Sequence, residues 1–384
     1  MRALPRLLTT VDVPPFLSPS ALGSWGGCVL KLVSATRGAV QVELLGASPT
    51  LSIGTFAHRV ISQFERSTNT TATEVFDSEY QRLQDELSRD PMKAHFADLV
   101  STKTMAEWAR LKAWILSRCE RLERSGASRA TGSLRTSGSE LALESGDLRL
   151  RGSADRVRRV GRNDFEVRDF KSGSVFDDDG TIKLEIRLQL LAYGLMVAAA
   201  YPRASIRLIV DDGFEHEVAF DAQARSDARR EIDAITGSVP ASGPADADQL
   251  ASPGPGCWGC AVRHVCKSYR ASAPVWWREY PDNLQTVSKD VWGTISEIRS
   301  VSPTGHVELV VMDDGGRHVR IDRLDVRHGL GGETSGTRVW MFDLESSGGG
   351  RDFDGHRFHP RAFHEHPRDR RDRRAWRLRV YRGP

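Results

Sequence analysis

Two segments of this chain carry residues that could do chemistry together: Gly152-Ser153-Ala154-Asp155-Arg156-Val157 and Val167-Arg168-Asp169-Phe170-Lys171-Ser172-Gly173. Both read as strands, joined by the turn Gly161-Arg162-Asn163-Asp164, so a hairpin is predicted. Strand side chains alternate faces, which sets Asp169 and Lys171 on one side, one pleat apart. Two carboxylates and an amine at strand ends make a divalent-cation site with a partner for water. Phosphodiester hydrolysis needs that combination: a water deprotonated near phosphorus, and the developing charge neutralised by Mg²⁺ or Mn²⁺. Asp155, Asp169 and the Phe170 carbonyl are the candidate ligands, and Lys171 the positioning group. His58, on a helix that begins after Gly54, is a further candidate ligand. Glu140, on the strand before the hairpin, offers another carboxylate, with Glu144 as its rival. Taken alone, Asp-x-Lys reads equally as a surface ion pair. Only eight of the 54 basic residues are lysine, however, so this lysine is less easily a chance placement.

The elements that must position these residues follow from periodicity. Ser18-Pro19-Ser20-Ala21-Leu22 opens a helical element within 17–35, with serine capping and proline in the first turn. The helix after Gly54 carries Val60, Ile61 and Phe64 on its apolar side. Residues 104–124 form an amphipathic helix with Trp108, Leu111, Ile115 and Leu122 at helical spacing, and Cys119 on the same stripe reads as a core thiol. A small, polar loop spans Gly126 to Gly138. Strands are predicted at 139–144, 148–157 and 164–171, a helix at 183–200, strands at 205–211 and 215–220, and a helix at 222–236. A linker rich in Pro, Gly, Ala and Asp covers 238–256. β-like runs at 291–298, 306–312, 317–322 and 337–344 then suggest a small antiparallel barrel of the OB type. Its Trp292 and Trp340 are candidate base-stacking residues or core tryptophans.

The 384 residues suffice for two or three domains. No apolar run approaches the roughly 20 residues needed to span a bilayer, and the N-terminal stretch is too short and polar for a secretory signal. A cytoplasmic protein with no membrane partner is expected. The net charge of +3 hides an asymmetry: nine arginines against three acids from Arg361 onward make that segment +6, so the rest of the chain is −3. Within this tail, which is predicted flexible from Ser346, Arg370, Arg371, Arg373, Arg374 and Arg377 with Trp376 interleaved suit contact with phosphates and bases. Arg379 and Tyr381 extend the pattern. The same run could equally be a solvated charge tail.

Cys257-x2-Cys260-x5-Cys266 is tight enough to chelate a metal, and a reducing compartment disfavours disulfides. Three thiolates need a fourth ligand. Cys28 is one donor; the other is His264 within the local loop, which would favour zinc.

Gly-x-x-Asp-Arg-Val, a turn, Asp-Phe-Lys-Ser-Gly, and then Gln189 and Tyr193 on one helix face resemble the RecB-type branch of the PD-(D/E)XK nuclease superfamily. The nearest likeness is to its iron–sulfur members, the nuclease part of AddB and the CRISPR adaptation nucleases. It covers roughly 17–270. The resemblance implies an α/β fold with a restriction-endonuclease-like core, a mixed central sheet flanked by helices. It also implies that Gln189 and Tyr193, four apart on one helical face, help hold the DNA or the lysine. Cys28, Cys257, Cys260 and Cys266 would together bind a four-iron–four-sulfur cluster that staples the ends of the core, with zinc as the alternative. The implied domains are a nuclease at 1–270, the barrel at 271–345 and the basic tail at 346–384. The implied activity is a metal-dependent DNA nuclease, a single-strand-preferring exonuclease whose partner is DNA with single-stranded or duplex ends, in repair, recombination or anti-phage defence. No Gly-x-x-x-x-Gly-Lys-Ser/Thr motif is present, so unwinding would fall to a helicase or ATPase partner chain. The competing class is a non-catalytic nucleic-acid-binding scaffold that retains the fold.

Overall fold

Residues 165–170 are buried on both faces of their strand apart from the half-buried Arg168, so the sheet needs cover on each side, and the chain supplies helices for each. The computed structural model describes residues 1–36, 38–45, 49–67, 69–89, 105–124, 138–171, 173–257, 259–272, 290–301, 306–312, 314, 316, 318–325, 328–346, 363–364 and 379–383. From the N-terminus, β1 (Arg2–Ala3) and β2 (Thr10–Val13) lead to the short helices α1 (Pro19–Leu22) and α2 (Val29–Ser34). Three long helices follow: α3 (Pro49–Arg66), α4 (Ala72–Arg89) and α5 (Met105–Arg124). Next come β3 (Gly138–Ser145), β4 (Leu150–Arg159), β5 (Asp164–Phe170), α6 (Leu184–Ala200), β6 (Ser205–Asp211), β7 (Glu215–Val218) and α7 (Ala222–Gly237).

The five strands β3 to β7 form one sheet in sequence order. All neighbours are antiparallel except β5 and β6, which run parallel. A parallel pair needs a crossover, and α6 provides it. This helix is apolar nearly all round, as a helix enclosed on several sides must be, with Ile186, Leu188, Leu191, Tyr193 and Val197 buried. Gly194 lets it close on Phe220 and Leu208, since a Cβ there would lie 2.8 Å from the Phe220 ring. On the opposite face, α3, α4 and α5 pack their own core of Phe56, Val60, Phe64, Phe76, Ile115 and Cys119 against Phe170. The result is a mixed sheet between two helical layers, the fold class expected. Cys119 is the core thiol anticipated from its stripe.

The segment read as a linker is instead built in. Within it, β8 (Gly243–Asp246) pairs with β2, and α8 (Ala247–Leu250) is capped by the Asp246 carboxylate. The expected single element over 17–35 is broken between α1 and α2, where Gly26 and Gly27 take positive φ.

The C-terminal strands are β9 (Val291–Val301), β10 (His306–Met312), β11 (His318–Asp325), β12 (Arg338–Phe342), β13 (Glu345–Ser346), β14 (Phe363–His364) and β15 (Arg379–Arg382). With β1 they form a sheet in the order β1-β15-β12-β9-β10-β11-β14-β13. Among the described residues no pairing closes it into the OB-like barrel expected, because strands from outside 271–345 occupy its flanks. Trp292 and Trp340 face each other across β9 and β12, stacked at 5.1 Å and buried. They pack into the core shared with the first sheet rather than standing free for bases. Arg379 and Tyr381, on β15, are likewise buried, Arg379 donating to Glu43 at 2.8 Å. Arg370, Arg371, Arg373, Arg374, Trp376 and Arg377 lie outside the described residues.

Candidate active site

The pairing of β4 with β5 runs from Arg159↔Phe165 to Arg156↔Arg168 and stops there. Beyond it the strands part, and the first residues past the split are Asp155 and Asp169. Asp155 closes the gap by accepting the Phe170 N–H at 2.7 Å. Its other oxygen lies 3.4 Å from His58 Nδ1, brought in by α3. Lys171 Nζ stands 2.8 Å from Asp169 Oδ2 and donates to Gln189 Oε1 at 3.1 Å. Thus His58, Asp155, Asp169, Phe170, Lys171 and Gln189 converge from α3, β4, β5 and α6. Tyr193 serves the strand: its buried hydroxyl donates to Ser153 O at 2.7 Å, two residues from Asp155. Glu144 is turned to Arg151 at 2.7 Å, on a half-exposed part of β3. The Glu140 side chain lies outside the described residues.

Electrostatics sort the two carboxylates. Asp169 is 2 % exposed, and burial together with the Asp155 charge pushes its pKa up to about 7. Burial opposes the charge on Asp155, but the hydrogen bond and charge of His58, the Phe170 N–H and the Lys171 charge together outweigh it, so Asp155 is held below the usual carboxylate range. Against the same burial penalty, Asp155 lifts His58 above the usual imidazole value. Two neighbouring carboxylates, one ionised and one held partly protonated by burial and by the first, are a charge arrangement that a cation relieves. Asp169 Oδ2 is buried and makes no well-formed hydrogen bond despite the nearby ammonium. The donor set, all hard oxygens plus one imidazole, fits Mg²⁺ or Mn²⁺. Among the described residues, no three His, Cys, Asp or Glu side chains already stand as a formed metal cage.

Two residues at the site escaped the sequence reading. Asp211 ends β6 beside Phe170, and its carbonyl accepts the Lys171 N–H at 3.0 Å. Its carboxylate is buried between Arg168, at 2.9 Å, and Arg118 of α5. The Arg118 guanidinium also lies over the Phe170 ring, 5.6 Å from its centroid. A strand-ending aspartate was visible in Ile209-Val210-Asp211; its place beside the lysine depends on the parallel pairing, which a local pattern does not reveal.

A family model for the PD-(D/E)XK nuclease superfamily matches residues 17–267. The chain belongs to the PD-(D/E)XK nuclease superfamily. That membership makes it a nuclease of the hydrolase class. Among solved structures, the chain is similar to a candidate exonuclease from Eubacterium rectale at 12% identity and a TM-score of 0.34, covering 67% of this chain and 88% of that one. No curated protein matches it. No described helix is long and apolar enough to cross a membrane.

The matched segment also takes in the cysteines. Cys28, at the start of α2, is buried with Cys257, Cys260 and Cys266, and each of those three lies close enough to feel its charge. Backbone N–H groups are aimed at the sulfurs: Ser252 to Cys28 at 3.4 Å, Gly254 to Cys257 at 3.5 Å and Tyr269 to Cys266 at 3.4 Å. Burial pushes Cys257 up to about 11 and Cys260 up to about 12. His264 is not with them. Its ring is fully buried between Phe342 and Tyr381, and burial followed by the Arg263 charge lowers it to about 3. Among the described residues, neither the set with His264 nor the four thiolates stands as a formed metal cage.

Proposed function

We propose that this chain is a Mg²⁺- or Mn²⁺-dependent deoxyribonuclease of the RecB-like branch, an exonuclease preferring single-stranded ends. The observation that carries the reading is the meeting of His58–Asp155 and Asp169–Lys171–Gln189 where β4 and β5 part. A divalent cation held by Asp155, Asp169 and the Phe170 carbonyl, with His58 beside them, would neutralise phosphate charge and acidify a water. The chain's own contribution is positional. Gln189 and Asp169 hold the Lys171 ammonium from two directions, so that its remaining N–H donors can orient a water or a phosphate oxygen. The Phe170 amide fixes one oxygen of Asp155 and leaves the other to face His58.

The convergence of Cys28, Cys257, Cys260 and Cys266, with backbone donors aimed at sulfur, supports a four-iron–four-sulfur staple in the same chain, with a four-thiolate zinc site as the alternative. On this reading residues 1–270 are the nuclease, the C-terminal strands are an accessory unit, and the arginine-rich tail assists DNA contact. A helicase or ATPase partner supplies unwinding, in repair, recombination or anti-phage defence.

The test is cleavage of end-labelled single-stranded and duplex DNA with Mn²⁺ or Mg²⁺, comparing the natural chain with Lys171→Ala and Asp155→Ala. Cleavage by the natural chain, lost in both variants while DNA binding survives, is expected. Equal cleavage by the variants overturns the assignment, and binding without cleavage by the natural chain favours the scaffold reading. Absorption of anaerobically purified protein separates the metals: a broad visible band marks iron–sulfur, and a colourless protein with stoichiometric zinc sinks it.

A further inference from the structure

The β6–β7 turn presents an aromatic ring to solvent beside the site, and the fold takes trouble to keep it there. Phe214 is 76 % exposed, the most open of the large apolar side chains described. It lies three residues beyond Asp211, whose carbonyl accepts the Lys171 N–H at 3.0 Å. The turn is fixed from several directions. Trp114 Nε1 donates to Asp212 O at 3.1 Å, and Arg121 donates to Gly213 O at 3.3 Å. Within the turn, the Gly213 and Phe214 N–H groups reach the carboxylates of Asp211 and Asp212 at 3.2 and 3.1 Å. Gly213 sits at φ +130, where a side chain would be strained. Such anchoring holds the ring in water rather than letting it fold back, which is unfavourable for an apolar group with no partner.

A second ring meets the same hairpin. Phe176, in the segment after Lys171, is 36 % exposed and packs edge-on against His216 at 4.8 Å. His216 in turn binds the Asp212 carboxylate at 3.0 Å, so the turn's acid is occupied. Behind the turn, Arg110, Trp114, Arg118 and Arg121 share one face of α5. Arg118 is buried on Asp211, Arg110 is exposed, and Arg121 is partly so.

We propose that this turn is a base-stacking platform: Phe214 and Phe176 receive unpaired bases, and Arg110 and Arg121 the phosphates, of the single DNA strand being cut. Aromatic faces accept every base, so the platform selects strandedness rather than sequence. In a duplex those base faces are already stacked and withheld. The inference rests on the nuclease reading and gives it a physical basis for preferring single strands.

The test is fluorescence anisotropy with a labelled single-stranded 15-mer and an abasic strand of the same length, in metal-free buffer. Phe214→Ala is expected to bind the normal strand roughly tenfold more weakly, with Phe214→Trp restoring the affinity. The abasic strand, which keeps the phosphates, should be bound alike by all three proteins. Equal affinity of natural chain and Phe214→Ala for the normal strand overturns the platform while leaving the nuclease reading intact. An equal loss on both strands also overturns it, since stacking is then not what was removed. A natural chain that binds neither strand defeats the nuclease reading and this inference together.

Discussion

At the scale of single residues, Asp169 governs what the site can hold. In the metal-free protein its carboxyl keeps a proton until about pH 7, whereas the unfolded chain loses it near ~4. Between those values the folded chain binds the extra proton. The contribution of this group to stability is therefore full below about pH 4 and falls as pH rises through 7. His58, also raised, acts with the same sign; Asp155, lowered, loses its contribution as pH falls through its folded value. The metal-free melting temperature should thus decline from pH 5 to pH 8 more steeply in the natural chain than in Asp169→Asn. On the proposed reading, saturating Mn²⁺ would bind the carboxylate form and should offset the decline at pH 8. Identical slopes in a differential-scanning comparison would show that Asp169 is not the group titrating. Gln189 carries a separate expectation, because it is the neutral partner that fixes the lysine. Gln189→Ala should lower kcat about tenfold with KM little changed, as loss of positioning does. Steady-state kinetics on one DNA substrate decide it. The carboxylates and the lysine were legible because their types and spacing state the chemistry, and Gln189 only through the family resemblance. Arg118 and Asp211 were not, because their roles arise from pairing across strands.

At the scale of elements, the site depends on how closely α1, β4 and α6 approach. Gly152 makes that approach feasible: a Cβ there would lie 2.7 Å from Pro19 Cδ and 3.1 Å from the Tyr193 hydroxyl. Gly152→Ala should cost about 1–3 kcal/mol by overpacking, read as a lowered urea midpoint. Tyr193→Phe removes only the hydrogen bond to Ser153 O and should cost ~1 kcal/mol, with the ring still filling its place. A cost for Tyr193→Phe equal to that of Gly152→Ala would mean the hydroxyl matters more than the close approach. Sequence pattern marked β3 to β7, α5, α6 and α7 to within a few residues: most bury a regular face, and α6 is an apolar run of helical length. Helix α4 went unread although Thr71 and Glu74 form a capping box, with both the Thr71 N–H and hydroxyl bonded to Glu74. Strand β8 was missed because Gly243-Pro244-Ala245-Asp246 has the composition of a linker, and only pairing with β2 makes it a strand.

At the scale of the whole molecule, the cysteine-bearing segment is bolted to the C-terminal sheet by buried charge. Arg263 donates to both oxygens of Asp290, at 2.7 and 2.9 Å, and to Asp343 at 2.5 Å, while Tyr269 donates to Asp290 at 2.5 Å. Removing one member of such a set strands the others without water. Asp290→Ala should cost ~3–5 kcal/mol and expose the C-terminal sheet to protease before the first sheet unfolds. A single cooperative loss of both sheets in a proteolysis time course would show instead that they fold as one. The barrel expected from strand spacing gave way because spacing does not reveal partners far along the chain. Strand β15 comes from the arginine-rich tail and pairs with both β12 and β1.

That last pairing orders events during synthesis. Arg2 sits opposite Tyr381 and Ala3 opposite Arg382. A nascent chain must therefore carry β1 without its partner while the long stretch between the two strands is made. At about 5–20 residues per second, that wait is on the order of tens of seconds. The nuclease core can close on the ribosome meanwhile, and the edge of the second sheet is sealed only once β15 has emerged.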